Sequence, residues 1–130
     1  MSAAGASSVD NKEWKQYNGM FKPRCGHCSL IYNDHVYVMN GFNNLEIYND
    51  LWRAKVNDWE HWEVVNSNIF PNNHGRYGSG CCPVKDGFII FGGIENEHTL
   101  NDVWKTVDGG KTFIKIETNN DIWKDRVFFG

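Results

Sequence analysis

An internal repeat is the feature of this 130-residue chain that most constrains its fold. When the sequence is compared with itself at an offset of 52 residues, eight identities fall in one ungapped stretch. The matched pairs are Arg24 and Arg76, Gly26 and Gly78, Asp34 and Asp86, Gly41 and Gly93, Asn44 and Asn96, Asn49 and Asn101, Asp50 and Asp102, and Trp52 and Trp104. Such a period predicts a fold in which each repeat is one structural unit and neighbouring units stack to bury a shared core.

Each copy of the repeat contains four short segments with the composition of β-strands. Residues 28–32 and 35–39 are rich in β-branched and aromatic side chains and are separated by two polar residues, which is the pattern of a β-hairpin. The second copy repeats this pattern, and its run 88–91 is apolar without alternation, which predicts a strand covered on both faces. Third strands begin at Asn49 and Asn101, and fourth strands at Trp62 and Phe113. No segment has a helical pattern, so we predict an all-β fold.

Turn-forming residues separate these strands. Asn40 and Gly41 end the second strand of the first copy, and Gly92 and Gly93 end its counterpart in the second copy. Glycine, and asparagine less easily, accepts a positive φ, so the chain can turn sharply there. In the segment 106–113 an aspartate can bind the amides of its own turn, while two glycines supply the positive φ of a tight hairpin.

These residues resemble the kelch repeat, which has a period of about 50 residues and builds one four-stranded β-propeller blade per copy. The resemblance rests on the Arg-Cys-Gly-His run at 24–27, on the glycine-containing pairs, and on the Asn-Asp-Leu/Val-Trp blocks at 49–52 and 101–104. The superfamily includes galactose-oxidase-like propellers. The segment 106–113 also resembles the Asp-box of sialidase-type propellers, a turn that stabilises a hairpin. The resemblance implies structural roles for Arg24, Gly26, Gly41, Asp50, Trp52, Arg76, Gly78, Gly92, Gly93, Asp102, Trp104, Asp108 and Gly110.

The resemblance implies two complete kelch-type blades within an incomplete propeller. We expect a flexible leader at 1–12 and a kelch-like region at 13–130, divided into an outer strand at 13–17, blade one at 24–66, blade two at 76–118 and the start of a third blade at 123–130. Propellers have about four to eight blades. An uncovered blade face leaves aromatic side chains in water, so we expect either a fragment of a longer propeller or a homo-oligomer whose copies complete it.

Charge and hydropathy exclude several classes of partner. The chain has 13 Lys and Arg against 16 Asp and Glu, a net charge of −3, so it lacks the basic surface of a nucleic-acid-binding protein. No stretch of about 18 apolar residues predicts a membrane span, and the first ten residues lack the basic and apolar regions of a secretory signal. We therefore expect a cytoplasmic protein without membrane or nucleic-acid partners.

Four cysteines leave two chemical alternatives open. The run Cys25-Gly26-His27-Cys28 has the letters of the redox centre of protein disulfide isomerases, but it precedes a strand pattern rather than a helix. A zinc site would combine Cys25 and Cys28 with Cys81 and Cys82, and either His27 or His74 is a further candidate ligand. Adjacent residues on a strand point to opposite faces, which argues against that site. We expect buried reduced thiols, with no metal and no cofactor.

The loops between the second and third strands differ between the copies, and variable loops on a repeated scaffold are where binding surfaces are found. We interpret the chain as a noncatalytic protein–protein interaction module, with no catalytic residues and with Phe42 and Tyr48 as exposed aromatic anchors. The alternative is a fragment of an oxidase- or sialidase-like propeller enzyme whose catalytic residues lie mostly outside this chain. The predicted partner-binding residues are Phe42, Asn43, Asn44, Glu46, Tyr48, Glu95, Asn96, Glu97 and His98.

Overall fold

Two four-stranded antiparallel sheets form the described part of the protein, in agreement with the all-β prediction. The computed structural model describes residues 21–117 and the backbone of Ser2–Ala3 and Lys15–Gln16. Within these residues there is no helix, and none of them forms a helix that could cross a membrane. The architecture is compatible with two propeller blades.

Each sheet is built from four strands that are consecutive in the chain, so the chain runs through each sheet by successive hairpins. A separate pair, β1 (Ser2–Ala3) and β2 (Lys15–Gln16), is antiparallel. Most of the predicted leader, most of the outer strand at 13–17 and the start of a third blade at 123–130 lie outside the described residues. The strands of the two sheets are β3 (Cys28–Tyr32), β4 (His35–Met39), β5 (Leu51–Lys55), β6 (Glu63–Asn66), β7 (Gly80–Val84), β8 (Gly87–Glu95), β9 (His98–Thr106) and β10 (Ile114–Ile116).

The predicted two-residue turn of the first hairpin is confirmed by the backbone, whereas the strand expected to end at Gly92 and Gly93 continues to Glu95. Asn33 and Asp34 have φ values of 52° and 63° and join β3 to β4 as a two-residue turn. Two positive φ values in succession match the right-handed twist of the flanking strands. Asn40 also has a positive φ of 61°, and Gly41 has one of 104°. A Cβ on Gly41 would lie 2.9 Å from the Cys25 carbonyl oxygen, so this position excludes any side chain.

One predicted loop is instead a long hairpin. The second copy was expected to have a variable loop around 94–99, but β8 and β9 continue through it and Glu95 pairs with His98. Asn96 and Glu97 form the two-residue turn, with φ values of 49° and 66°. Strand-forming residues flank this polar turn, and the pairing resumes after a register shift between Phe91 and Gly93. The corresponding loop of the first sheet makes only isolated bridges.

The core lies between the two sheets. Tyr37, Met39 and Leu51 of the first sheet are at most 1% exposed, and they face Phe88 and Ile90 of the second sheet, which are 0% exposed. The rings of Tyr37 and Phe88 are 4.8 Å apart. Burying a side chain of this size stabilises the fold by roughly 1.5–3 kcal/mol, so this contact surface holds the sheets together.

Within the described residues, the strand at 88–91 is fully buried on one face only, and coverage of its other face stays a prediction. Phe88 and Ile90 are fully buried, whereas Ile89 and Phe91 are partly exposed. Successive strand residues point to opposite faces. Among the described residues, one sheet face of β8 packs against the first sheet and the other has no second sheet against it.

Candidate functional site

An arginine of each repeat is held by an aspartate and a carbonyl group. The side chain of Arg76 is 2% exposed and donates hydrogen bonds of 2.7 and 3.1 Å to the two carboxylate oxygens of Asp102. It also donates to the Gly92 carbonyl oxygen at 3.1 Å, and Trp104 Nε1 donates to Asp102 at 2.8 Å. Burial acts to raise the pKa of Asp102, but the hydrogen bonds and charge of Arg76 hold it below its ordinary value.

The first repeat has the same arrangement. Arg24 donates to Asp50 at 2.6 and 3.1 Å and to the Asn40 carbonyl oxygen at 3.0 Å, and Trp52 Nε1 donates to Asp50 at 2.9 Å. The Arg24 guanidinium lies 3.9 Å from the centre of the Tyr48 ring. Both arginines are therefore engaged by internal partners, and their positive charges are not free to bind a substrate carboxylate.

Tyr48 is buried, so the prediction of an exposed aromatic anchor is wrong at this position. It is 7% exposed, because Arg24 lies over its ring. Its hydroxyl accepts a hydrogen bond from Asn43 Nδ2 at 2.6 Å and donates one to Glu46 at 3.3 Å. Its carbonyl oxygen accepts the Arg76 backbone amide of the next repeat at 3.3 Å. Tyr48 thus supports the loop 42–47 and connects it to the second repeat.

A cleft of about 520 Å³ lies where the loop 42–47 of the first repeat meets the segment 73–77 of the second repeat. Phe42 and Tyr77 pack together in it, with ring centres 4.5 Å apart. A Cβ on Gly75 would lie 2.3 Å from the Tyr48 carbonyl oxygen, so only glycine allows this close approach. The lining residues are Phe42, Asn43, Asn44, Leu45, Glu46, Ile47, Asn73, His74, Gly75, Tyr77 and Asn96.

Leu45 stands at the mouth of this cleft and is 90% exposed. The Asn43 side-chain oxygen accepts the backbone amides of Leu45 at 2.8 Å and Glu46 at 2.9 Å, which fixes the turn. Glu46 in turn binds Lys22 at 3.0 Å. Ile47, at 43% exposure, adds a second apolar side chain. Neither apolar residue is among the predicted partner-binding residues, although a leucine within a polar loop was the signal for them.

The opposite wall is formed by polar residues of the second repeat. His74 Nδ1 lies 3.2 Å from Asn96 Nδ2 and 3.4 Å from Glu95 Oε2, and Asn72 donates to the same Glu95 oxygen at 3.1 Å. Glu95 also lies 3.8 Å from Arg76, and its side chain is only 18% exposed. Glu95 is therefore mainly a support for this wall.

The structure brings only part of the predicted binding set together. Five predicted residues line the cleft. Tyr48 and Glu95 do not line it, but their side chains hydrogen-bond to residues around it. Glu97 and His98 are exposed at the end of the β8–β9 hairpin and do not line the cleft. The five lining residues are Phe42, Asn43, Asn44, Glu46 and Asn96.

The turn after β9 is held by an aspartate, as its sequence suggested. Asp108 accepts hydrogen bonds from the Thr112 hydroxyl at 2.6 Å, the Thr112 amide at 3.0 Å and the Thr106 hydroxyl at 2.8 Å. Desolvation acts to raise the pKa of Asp108, but these bonds lower it to about 2. Gly109 and Gly110 have φ values of 76° and 98°. Both carboxylate oxygens of Asp108 therefore accept hydrogen bonds within the turn.

The cysteines do not form a chelating group. Cys25 is exposed and precedes β3, whereas Cys28 is buried within it, and no helix follows this pair in the described chain. Within residues 21–117, no three side chains of His, Cys, Asp or Glu come together as metal ligands would. Cys28 instead lies near Cys81 of the second sheet.

No protein-family profile matches the chain. The chain is similar to the leucine-zipper-like transcriptional regulator 1 proteins of mouse and human, at 24% identity over 113 residues in both cases. The orangutan (Pongo abelii) protein of the same name is 25% identical over 115 residues. Each alignment covers 83% of this chain but 13% of the relative, so the chain spans about an eighth of the length of the proteins it matches.

Proposed function

We propose that this chain is a noncatalytic protein-interaction module of the kelch β-propeller type and that the cleft between its two repeats binds a protein partner. The observation that carries the proposal is the 90% exposure of Leu45 on a turn that hydrogen bonds hold in place. Burying one leucine in a complex contributes roughly 1.5–3 kcal/mol. A turn that is already ordered loses little conformational entropy on binding.

The surroundings of Leu45 match the composition of a protein interface. Phe42 and Tyr77 supply half-buried aromatic surface, which is enriched in interfaces. The asparagines at the rim offer donors and acceptors for a partner's backbone. An apolar centre within a polar rim is the arrangement in which a few anchor residues supply most of the binding energy.

Two further observations support a noncatalytic role with a protein partner. The acidic and basic groups around the cleft are paired with one another, Glu46 with Lys22 and His74 with Glu95. The similar proteins are named as transcriptional regulators rather than as enzymes. Because the net charge of this chain is −3, we propose that it contacts proteins rather than nucleic acid in such a setting.

The two sheets also have a proposed place in a propeller, and the chain has a proposed cellular location. We propose that the sheets are blade one (24–66) and blade two (76–118), that 106–113 is an Asp-box turn, and that further blades cover the outer faces, either in a longer chain or in a homo-oligomer. Four free cysteines fit a reducing compartment, which supports a cytoplasmic location.

Photo-cross-linking at position 45 tests the binding surface. A photoreactive amino acid replaces Leu45 in the chain expressed in cells, and a matched variant carries it at Val107, which is 60% exposed outside the cleft. We expect a discrete protein adduct at position 45 and none at position 107. With the purified adduct partner, Leu45→Asp should weaken binding at least about tenfold, which corresponds to about 1.4 kcal/mol. Val107→Asp should leave the affinity unchanged. Equal adducts at both positions, or no adduct at position 45, would contradict the proposal.

A further inference from the structure

Two cysteines from different sheets meet at the junction of β3 and β7. Cys28 lies in β3 and is 7% exposed, and Cys81 of β7 packs against the same apolar core. The Cys81 thiol donates a hydrogen bond of 3.5 Å to the carbonyl oxygen of Ser29, the neighbour of Cys28. Ser29 and Cys81 are also equivalent positions at the 52-residue offset. These contacts place the thiols of Cys28 and Cys81 next to each other at the junction of the two sheets.

The remaining cysteines are separated from this pair. Cys25 is exposed and lies before β3, where its backbone pairs with Phe42. Cys82 follows Cys81 directly in β7, and adjacent strand residues point to opposite faces of a sheet. None of the four cysteines forms a disulfide in the structure. Cys28 and Cys81 are therefore the neighbouring pair available to an oxidising reagent, and Cys25 and Cys82 lie apart from it.

We propose that Cys28 and Cys81 form a disulfide that joins the two sheets when the chain meets a low-molecular-weight disulfide such as oxidised glutathione. Cys81 is partly exposed, so its thiolate attacks one glutathione sulfur. That step breaks the glutathione disulfide, releases one glutathione thiolate and leaves a mixed disulfide on Cys81. Cys28 then loses its proton to solvent and attacks the Cys81 sulfur, which releases the second glutathione. Two protein thiols are oxidised, and one disulfide is reduced to two thiols.

The order of the two attacks follows from the surroundings of each thiol. The hydrogen bond with Cys81 and the burial of Cys28 both raise the pKa of the Cys28 thiol well above its ordinary value. A thiol that seldom ionises is a poor first nucleophile. Once Cys81 carries glutathione, however, Cys28 is held next to the sulfur it must attack, and this proximity favours ring closure over reaction with a second reagent molecule.

The experiment uses a full-length Cys25→Ser/Cys82→Ser variant, which keeps only the proposed pair. After incubation with oxidised glutathione at about pH 8, we expect both free thiols to disappear and a monomer lighter by two hydrogen atoms to form. Proteolysis without reduction should release one peptide pair joined through Cys28 and Cys81. The bond closes a long loop, so the Tm should rise by more than about 5 °C and return on reduction.

A matched Cys28→Ser/Cys81→Ser variant keeps the other two cysteines and should gain glutathione without an internal disulfide. The wild-type chain should give the same Cys28–Cys81 linkage. The proposal is overturned if the first variant stops at the mixed disulfide, if it forms only dimers, or if the wild-type linkage uses Cys25 or Cys82. None of these outcomes bears on the cleft as a binding surface.

Discussion

Replacing Asp102 with alanine should remove the main partner of a buried arginine. The side chain of Arg76 would lose two hydrogen bonds of 2.7 and 3.1 Å, and Trp104 Nε1 would lose its acceptor. Breaking a buried ion pair from one side costs about 3–5 kcal/mol, because the remaining charge is left without a partner. Glu95 lies 3.8 Å from Arg76 and offsets part of this loss. We therefore expect the free energy of unfolding to fall by about 3 kcal/mol.

Urea unfolding followed by far-UV circular dichroism measures this change without relying on the fluorescence of Trp104 itself. The matched control is Asp86→Ala, which removes an ion pair of 2.9 Å with Lys105 in which the Asp86 side chain is 63% exposed. Exposed pairs contribute about 0–1 kcal/mol. If Asp102→Ala costs less than about 1 kcal/mol, or no more than Asp86→Ala, the argument from burial is refuted.

Three further predictions concern the core and the turns. Gly87→Ala should lower the free energy of unfolding by more than about 2 kcal/mol in urea unfolding, because its Cβ would lie 1.9 Å from the Thr106 carbonyl oxygen and the backbone would have to shift. Tyr48→Ala should lower it by about 3–5 kcal/mol, as for other large buried aromatic residues, and an unchanged Tm would show that Tyr48 is not a core residue. The pKa of Asp108 is lowered to about 2 from an ordinary 3.8, so its stabilisation is present above about pH 4 and is lost as the pH falls toward 2. In the Asp108→Asn variant, the midpoint of urea unfolding should depend less on pH over that range. If the variant and the wild type show the same pH dependence, Asp108 does not have this role.

The all-β fold and its hairpins could be predicted because their signals are local. Strand-forming runs, the two-residue turn at Asn33 and Asp34, and the strand end at Asn40 and Gly41 each depend on neighbouring residues. The long β8–β9 hairpin was missed because Asn96 and Glu97 lie within a polar segment, where a tight turn and a loop have similar composition. Strand pairing on both sides of the turn decided between them.

The candidate site was predicted less completely, because burial depends on contacts between distant residues. Tyr48 and Leu45 lie three positions apart in the same loop, yet one is 7% exposed and the other 90%. Composition gives no reason for the aromatic residue to be inside and the leucine outside. The difference arises because Arg24, 24 positions before Tyr48 in the chain, lies over the tyrosine ring.

The sequence by itself determined the repeat, the strand composition and the pairs of residues that recur at the 52-residue offset, since these depend on the order of amino acids alone. Only the tertiary structure decided that Phe42 meets Tyr77 across a cleft and that Cys28 meets Cys81 between the sheets. Each of these pairs joins residues from different repeats. Their contact requires the packing of one whole sheet against the other, which no local pattern specifies.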